Sequence, residues 1–95
     1  MRKRLPRVIR LPGGFTITVK QRKCPDSHGY WSEYSITRGT GILVINKDDD
    51  LADKWHYLGH EFIHAANDYA HFLDQTIVRP LQIEMGETLH ALEED

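Results

Sequence analysis

Residues 50–73 read DLADKWHYLGHEFIHAANDYAHFL, and the spacing of their apolar side chains decides the architecture. Leu51, Trp55, Leu58, Phe62, Ala65, Ala66, Tyr69, Phe72 and Leu73 recur at three- and four-residue steps. At about 100° per residue these steps gather into one stripe along an α-helix over residues 51–73. Asp48, Asp49 and Asp50 precede the stripe. Each can accept from the first free amides, and their charge suits the positive end of a helix. With His60 at 0° on the helical wheel, the apolar stripe centres near about 180°, while His56, His64 and His71 fall at about −40°, +40° and +20°. Four histidines therefore share the face turned away from the core.

Upstream of the helix the pattern changes to a period of two. Pro12-Gly13-Gly14 signals a turn, and Phe15-Thr16-Ile17-Thr18-Val19 alternates in β-branched residues as a strand does. Residues 8–11 form a shorter strand before it. Residues 24–29 hold Pro25, Asp26, Ser27 and Gly29 and read as a loop, and residues 30–37 read as a further strand by their aromatic and β-branched content. Arg38-Gly39-Thr40-Gly41 is a hairpin turn leading into Ile42-Leu43-Val44-Ile45, a strand buried on both faces or covering a site on one. Downstream, Arg79-Pro80 is expected to break the chain before a second helix bearing Leu81, Ile83, Met85, Leu89 and Leu92. The fold class is α+β, a small three- or four-stranded sheet packed on the helix of residues 51–73 with a second helix after it. The 95 residues make one domain. It comprises a basic N-terminal arm (1–12), a strand-rich half (13–46) and a helical half (47–95).

Composition narrows the function classes. No window approaches about 18 consecutive apolar residues, so no helical membrane span is expected. Pro6, Arg7, Arg10 and Gly13-Gly14 interrupt what a signal peptide needs as an apolar run. The single cysteine, Cys24, cannot close an internal disulfide, which fits a reducing, cytoplasmic setting. Its thiol reads as a small hydrophobe or free thiol, with a thiolate switch on a metal as the sharper alternative. The formal charge of −2 conceals an asymmetry. Residues 1–23 carry eight bases and no acid (+8), and residues 24–95 carry the other 4 bases and all 14 acids (−10). Such a split suits an acidic partner for the arm, or an arm lying against the chain's own acidic half. Phe15 is the one aromatic residue in the basic stretch, so the stacking platform expected of a single-stranded nucleic-acid binder is missing.

The chemistry lies in His60-Glu61-Phe62-Ile63-His64, an HExxH stretch on the expected helix. Histidines at i and i+4 stand one turn apart on one face, so both imidazoles reach one Zn²⁺ at about 2.0–2.1 Å. The intervening glutamate points about 100° away, where its carboxylate reaches a metal-bound water without ligating the ion, the position of a general base. At this composition the motif arises by chance in roughly 2% of random arrangements. A catalytic zinc needs a third protein ligand and an open position. Asp68, one turn beyond His64, is better placed to orient a ligand histidine than to complete the set. Glu84 and Glu87, on the second helix, can each deliver a carboxylate from the side, and spacing alone does not separate them.

The stretch His60-Glu61-Phe62-Ile63-His64-Ala65-Ala66-Asn67-Asp68-Tyr69 resembles the active-site helix of thermolysin-type gluzincins, in which HExxH is followed by Ala, two variable residues and Asp-Tyr. The family's third ligand is a glutamate twenty residues after the second histidine, and Glu84 stands at that position. The resemblance implies His60, His64 and Glu84 as ligands of one zinc per chain, Glu61 as general base, and an orienting role for Asp68. By size and element order the chain more closely resembles the minigluzincins and small zincin-like proteins, phage-encoded ones included. In such folds the strand before the helix, here residues 42–45, forms the cleft rim and pairs with extended peptide. The activity implied is peptide-bond hydrolysis of a peptide or protein substrate by zinc-activated water. Tyr57, His56, His71 and His28 are the candidates by type for a donor to the oxyanion. The alternative is a non-catalytic, zinc-stabilised interaction or regulatory protein, for which Glu61 is dispensable.

Overall fold

Gly13 and Gly14, both at φ +91°, reverse the chain between the first two strands with a backbone that L side chains rarely adopt. In the computed structural model, which describes residues 3–93, β1 (Val8–Leu11) therefore pairs antiparallel with β2 (Phe15–Arg22). The second reversal, at Gly39 (φ +64°), joins β3 (Gly29–Ser35) to β4 (Thr40–Asn46) as an antiparallel pair. Its register shifts between Ser32 and Ser35, and within that bulge Glu33 adopts φ +52°. The two hairpins join through a parallel β2–β4 pairing, giving a four-stranded mixed sheet in the order β1-β2-β4-β3.

This order corrects one sequence expectation. β4 is flanked on both sides and is an interior strand, so residues 42–45 are not the rim of a cleft. Its continuous apolar run is explained by that position, since Leu43, Val44 and Ile45 are all fully buried. The free edge beside the helix belongs to β3.

α1 (Leu51–Leu73) lies across β3 and β4. Asp50 is its N-cap, the carboxylate accepting from the Asp53 amide at 2.8 Å. The apolar stripe packs as its spacing dictates. Leu58, Ala65 and Phe72 are buried over Phe15, Ile17, Leu43 and Ile45, with Trp55, Phe62 and Tyr69 partly buried around them. Phe15 anchors the core, its ring 5.3 Å from Phe72 and 5.4 Å from Tyr69. Burying one such side chain contributes roughly 1.5–3 kcal/mol.

The N-terminal arm is partly tied down. Leu5 is buried, Trp55 Nε1 donates to the Lys3 carbonyl at 2.6 Å, and residues 8–11 form β1. Arg2, at the head of the arm, and the tail residues Glu94 and Asp95 lie outside the described residues.

The expected break at Arg79-Pro80 does not occur. α1 runs through a π-helical turn (Asp74–Val78) directly into α2 (Arg79–Glu93). A proline ends a helix because it lacks an amide and crowds the preceding turn. Here the ladder has already slipped, with the Arg79 amide bonding the Asp74 carbonyl, and such π-bulges absorb local irregularity without ending the helix. Residues 51–93 then amount to about 64 Å of helix at 1.5 Å per residue, which accounts for the longest dimension of the molecule, 66 Å. α2 continues the helix beyond the π-turn and leaves Leu81, Ile83, Met85, Leu89 and Leu92 exposed. The second helix therefore extends away from the sheet and does not fold back to close a site. No described helix is long and apolar enough to cross a membrane.

Candidate metal centre

His60, Glu61 and His64 each offer one ligand atom, and these atoms lie within 4.8 Å of one another. The cause is helical geometry, since residues i and i+4 stack along one face. The two imidazole rings stand edge to face with centroids 5.3 Å apart. Glu61 Oε1 lies 3.7 Å from His60 Nε2. Exposure separates the roles, for the His60 side chain is 61% exposed and that of Glu61 only 13%. Glu61 sits at the margin of the apolar stripe and tucks under the sheet edge, whereas the histidines stand on the outer slope.

Two hollows meet at Glu61. One, of about 260 Å³, is lined by Ser27, His28, Gly29, Tyr57, His60 and Glu61. The other, of about 480 Å³, is lined by Tyr30, Trp31, Glu61, Ile63, His64, Asn67 and Asp68. Together they form a trough between α1 and β3, with one histidine of the pair in each half.

Trp31 builds one wall. Its indole crosses Gly41, where an added Cβ would run into the ring, and its Nε1 donates to Asp68 Oδ2 at 2.6 Å. Asp68 is thus engaged from β3 through one carboxylate oxygen, and no described hydrogen bond joins it to His60 or His64. Its carbonyl also accepts from the Tyr34 hydroxyl at 3.3 Å. Burial, and then the charge of Asp68, holds the Tyr34 phenol above its ordinary value of 10.0.

His28, in the loop just before β3, forms the other wall. Its carbonyl accepts from the Asn46 amide at 2.9 Å, its ring stacks on Tyr57 with centroids 4.0 Å apart and planes 2° from parallel, and its Nδ1 meets Asp49 Oδ2 at 2.9 Å. No spacing signal marks this pairing, because Asp49 reads as a helix cap and His28 as a loop residue.

Glu84 and Glu87 lie on α2. Twenty residues of helix separate Glu84 from His64 by about 30 Å, so the structure does not bring either glutamate to the histidines. The donor set fits a divalent ion through His60 and His64, with Glu61 alongside, and the fit fails at Glu84. Cys24 is buried, its thiol 3.4 Å from the Arg22 carbonyl, where it packs and does not face the trough. At Gly59 an added Cβ would meet nothing within 4 Å, so no strand approaches there. His56 is exposed, its ring edge on to Tyr57, and His71 is exposed in the last turn of α1.

No family model, no curated protein and no solved structure matches the chain.

Proposed function

We propose that the chain is a small metal-dependent peptidase in which His60 and His64 hold one divalent ion, zinc by donor type, and Glu61 is the general base. The observation that supports this most is the convergence of three donors within 4.8 Å in a trough whose far wall is an edge strand. When bound, the ion supplies Lewis-acid polarisation of a carbonyl and renders water acidic near neutral pH. Glu61 takes the proton of the attacking water and passes it to the leaving amine, and its shielding beneath the sheet edge limits competition from bulk water. The outer edge of β3 presents free amides and carbonyls along the trough, to which an extended peptide adds as a further strand. Of the candidate oxyanion donors, Tyr57 and His28 line the hollow that holds Glu61. The substrate is accordingly a peptide or an extended protein segment.

The test is hydrolysis of a mixed-sequence peptide library by the zinc-loaded chain. Turnover is expected to fall roughly 10²- to 10⁴-fold in Glu61→Gln, with zinc stoichiometry unchanged. A chain that holds zinc and leaves the whole library intact would overturn the reading. One feature favours a second reading, a zinc-stabilised interaction or regulatory protein without catalysis. α2 carries a stripe of exposed apolar side chains, Leu92 66% and Leu89 58% exposed, of the sort that marks contact surfaces. In that case Glu61→Gln changes nothing that can be measured.

A further inference from the structure

We infer that His28, oriented by Asp49, is the third protein ligand of the metal centre. The inference rests on the metal reading above and replaces Glu84 with a residue from the opposite side of the trough.

With Glu61 kept as the general base, the rest of the helix cannot supply the ligand. His56 stands four residues before His60, but His56 and His64 are separated by about 12 Å of helix and cannot share one ion. Asp68 is held by the Trp31 indole, and Glu84 is about 30 Å away along the axis. Besides Glu61 and Asp68, the further metal-binding side chain on the trough is His28, which shares its hollow with His60 and Glu61.

His28 carries the features of a ligand. The ring nitrogen facing Asp49 must bear the proton to donate to a carboxylate, which fixes the tautomer and leaves Nε2 with a lone pair. Among the described residues Nε2 has no hydrogen-bond partner. A carboxylate on the far nitrogen is the usual accompaniment of a metal-bound imidazole. Asp49 is itself fixed, its amide bonded to the Asn46 carbonyl at 3.3 Å, in the turn that joins β4 to α1. Three separate segments thus converge, the loop before β3, the turn before α1, and α1. His28 Nε2 stands outside the 4.8 Å shared by the other donors, so coordination requires the half-exposed ring to leave Tyr57 and swing across the hollow.

The experiment measures Zn²⁺ affinity of the full chain by competition with a chromophoric chelator, and the visible spectrum of the Co²⁺ form, for wild type, His28→Ala, Asp49→Asn and Glu84→Gln. His28→Ala is expected to weaken zinc by at least about 100-fold and to alter the cobalt bands, and Asp49→Asn to weaken it roughly 10- to 100-fold. Glu84→Gln should match wild type in both. On wild type, imidazole ¹⁵N resonances provide a readout free of mutation, with His28 expected to shift alongside His60 and His64 on adding zinc. Zinc affinity kept in His28→Ala, affinity lost in Glu84→Gln, or an unmoved His28 resonance would each overturn the inference while leaving the metal reading in place. A wild-type chain that takes up neither Zn²⁺ nor Co²⁺ would overturn both.

Discussion

Trp31 and Gly41 show how single residues shape the trough. The indole reaches Asp68 because position 41 on β4 has no side chain beneath it. Gly41→Ala puts a methyl group within the ring, so Trp31 must leave and the Asp68 carboxylate loses its donor. The expected cost is roughly 1–3 kcal/mol, as for other overpacked sites. Urea unfolding followed by tryptophan emission measures it, and a variant as stable as wild type would show that the wall is soft. At the same scale HExxH was legible because two ligands and a base come from five consecutive residues whose relative positions the helix alone dictates. The Trp31–Asp68 bond spans 37 residues and the His28–Asp49 bond 21. Neither has a local pattern, so neither could be read before the strands were placed.

Among the elements, α1 was the most legible. Its span agrees with the residues 51–73 expected from the stripe, and the buried positions are those of the stripe. α2 was the least, because the proline signal is local whereas the outcome depends on a slipped hydrogen-bond ladder one turn earlier. Since no described side chain of α2 is buried in the core, its removal should cost little. A chain ending at Val78 is expected to unfold within about 0.5 kcal/mol of the full chain, the range of changes that touch no core feature. Chemical denaturation decides the point, and a loss of several kcal/mol would mean that α2 packs where the described contacts do not show it.

At the scale of the whole molecule the sheet is small, and one helix covers it. A domain of this length buries only about 60% of the surface of its unfolded chain. A metal that tied α1 to the sheet edge, as proposed above, would then supply a large share of its stability. Zinc at about 100 times its dissociation constant should add about 2.7 kcal/mol, which for a chain of this size raises the melting temperature by roughly 10–20 °C. Thermal unfolding with and without zinc reads this directly, with reversal by chelator and absence of the shift in His60→Ala as controls. An unchanged melting temperature would show that the histidine pair holds no ion in the folded state.

Local patterns were enough for the elements that depend on neighbours a few residues apart: the strands around their turns, the helix with its cap and apolar stripe, and the His60-Glu61-His64 group. Tertiary structure alone decided the strand order, which puts β3 and not β4 at the edge beside α1. It also decided the run of α2 away from the sheet, and the meeting of His28, Asp49 and Trp31 with the histidine face. The physical reason is range. Periodicity and capping act through bonds and contacts within a turn or a hairpin. Parallel pairing of β2 with β4, and the trough that follows from it, depends on which apolar faces the whole chain can bury at once.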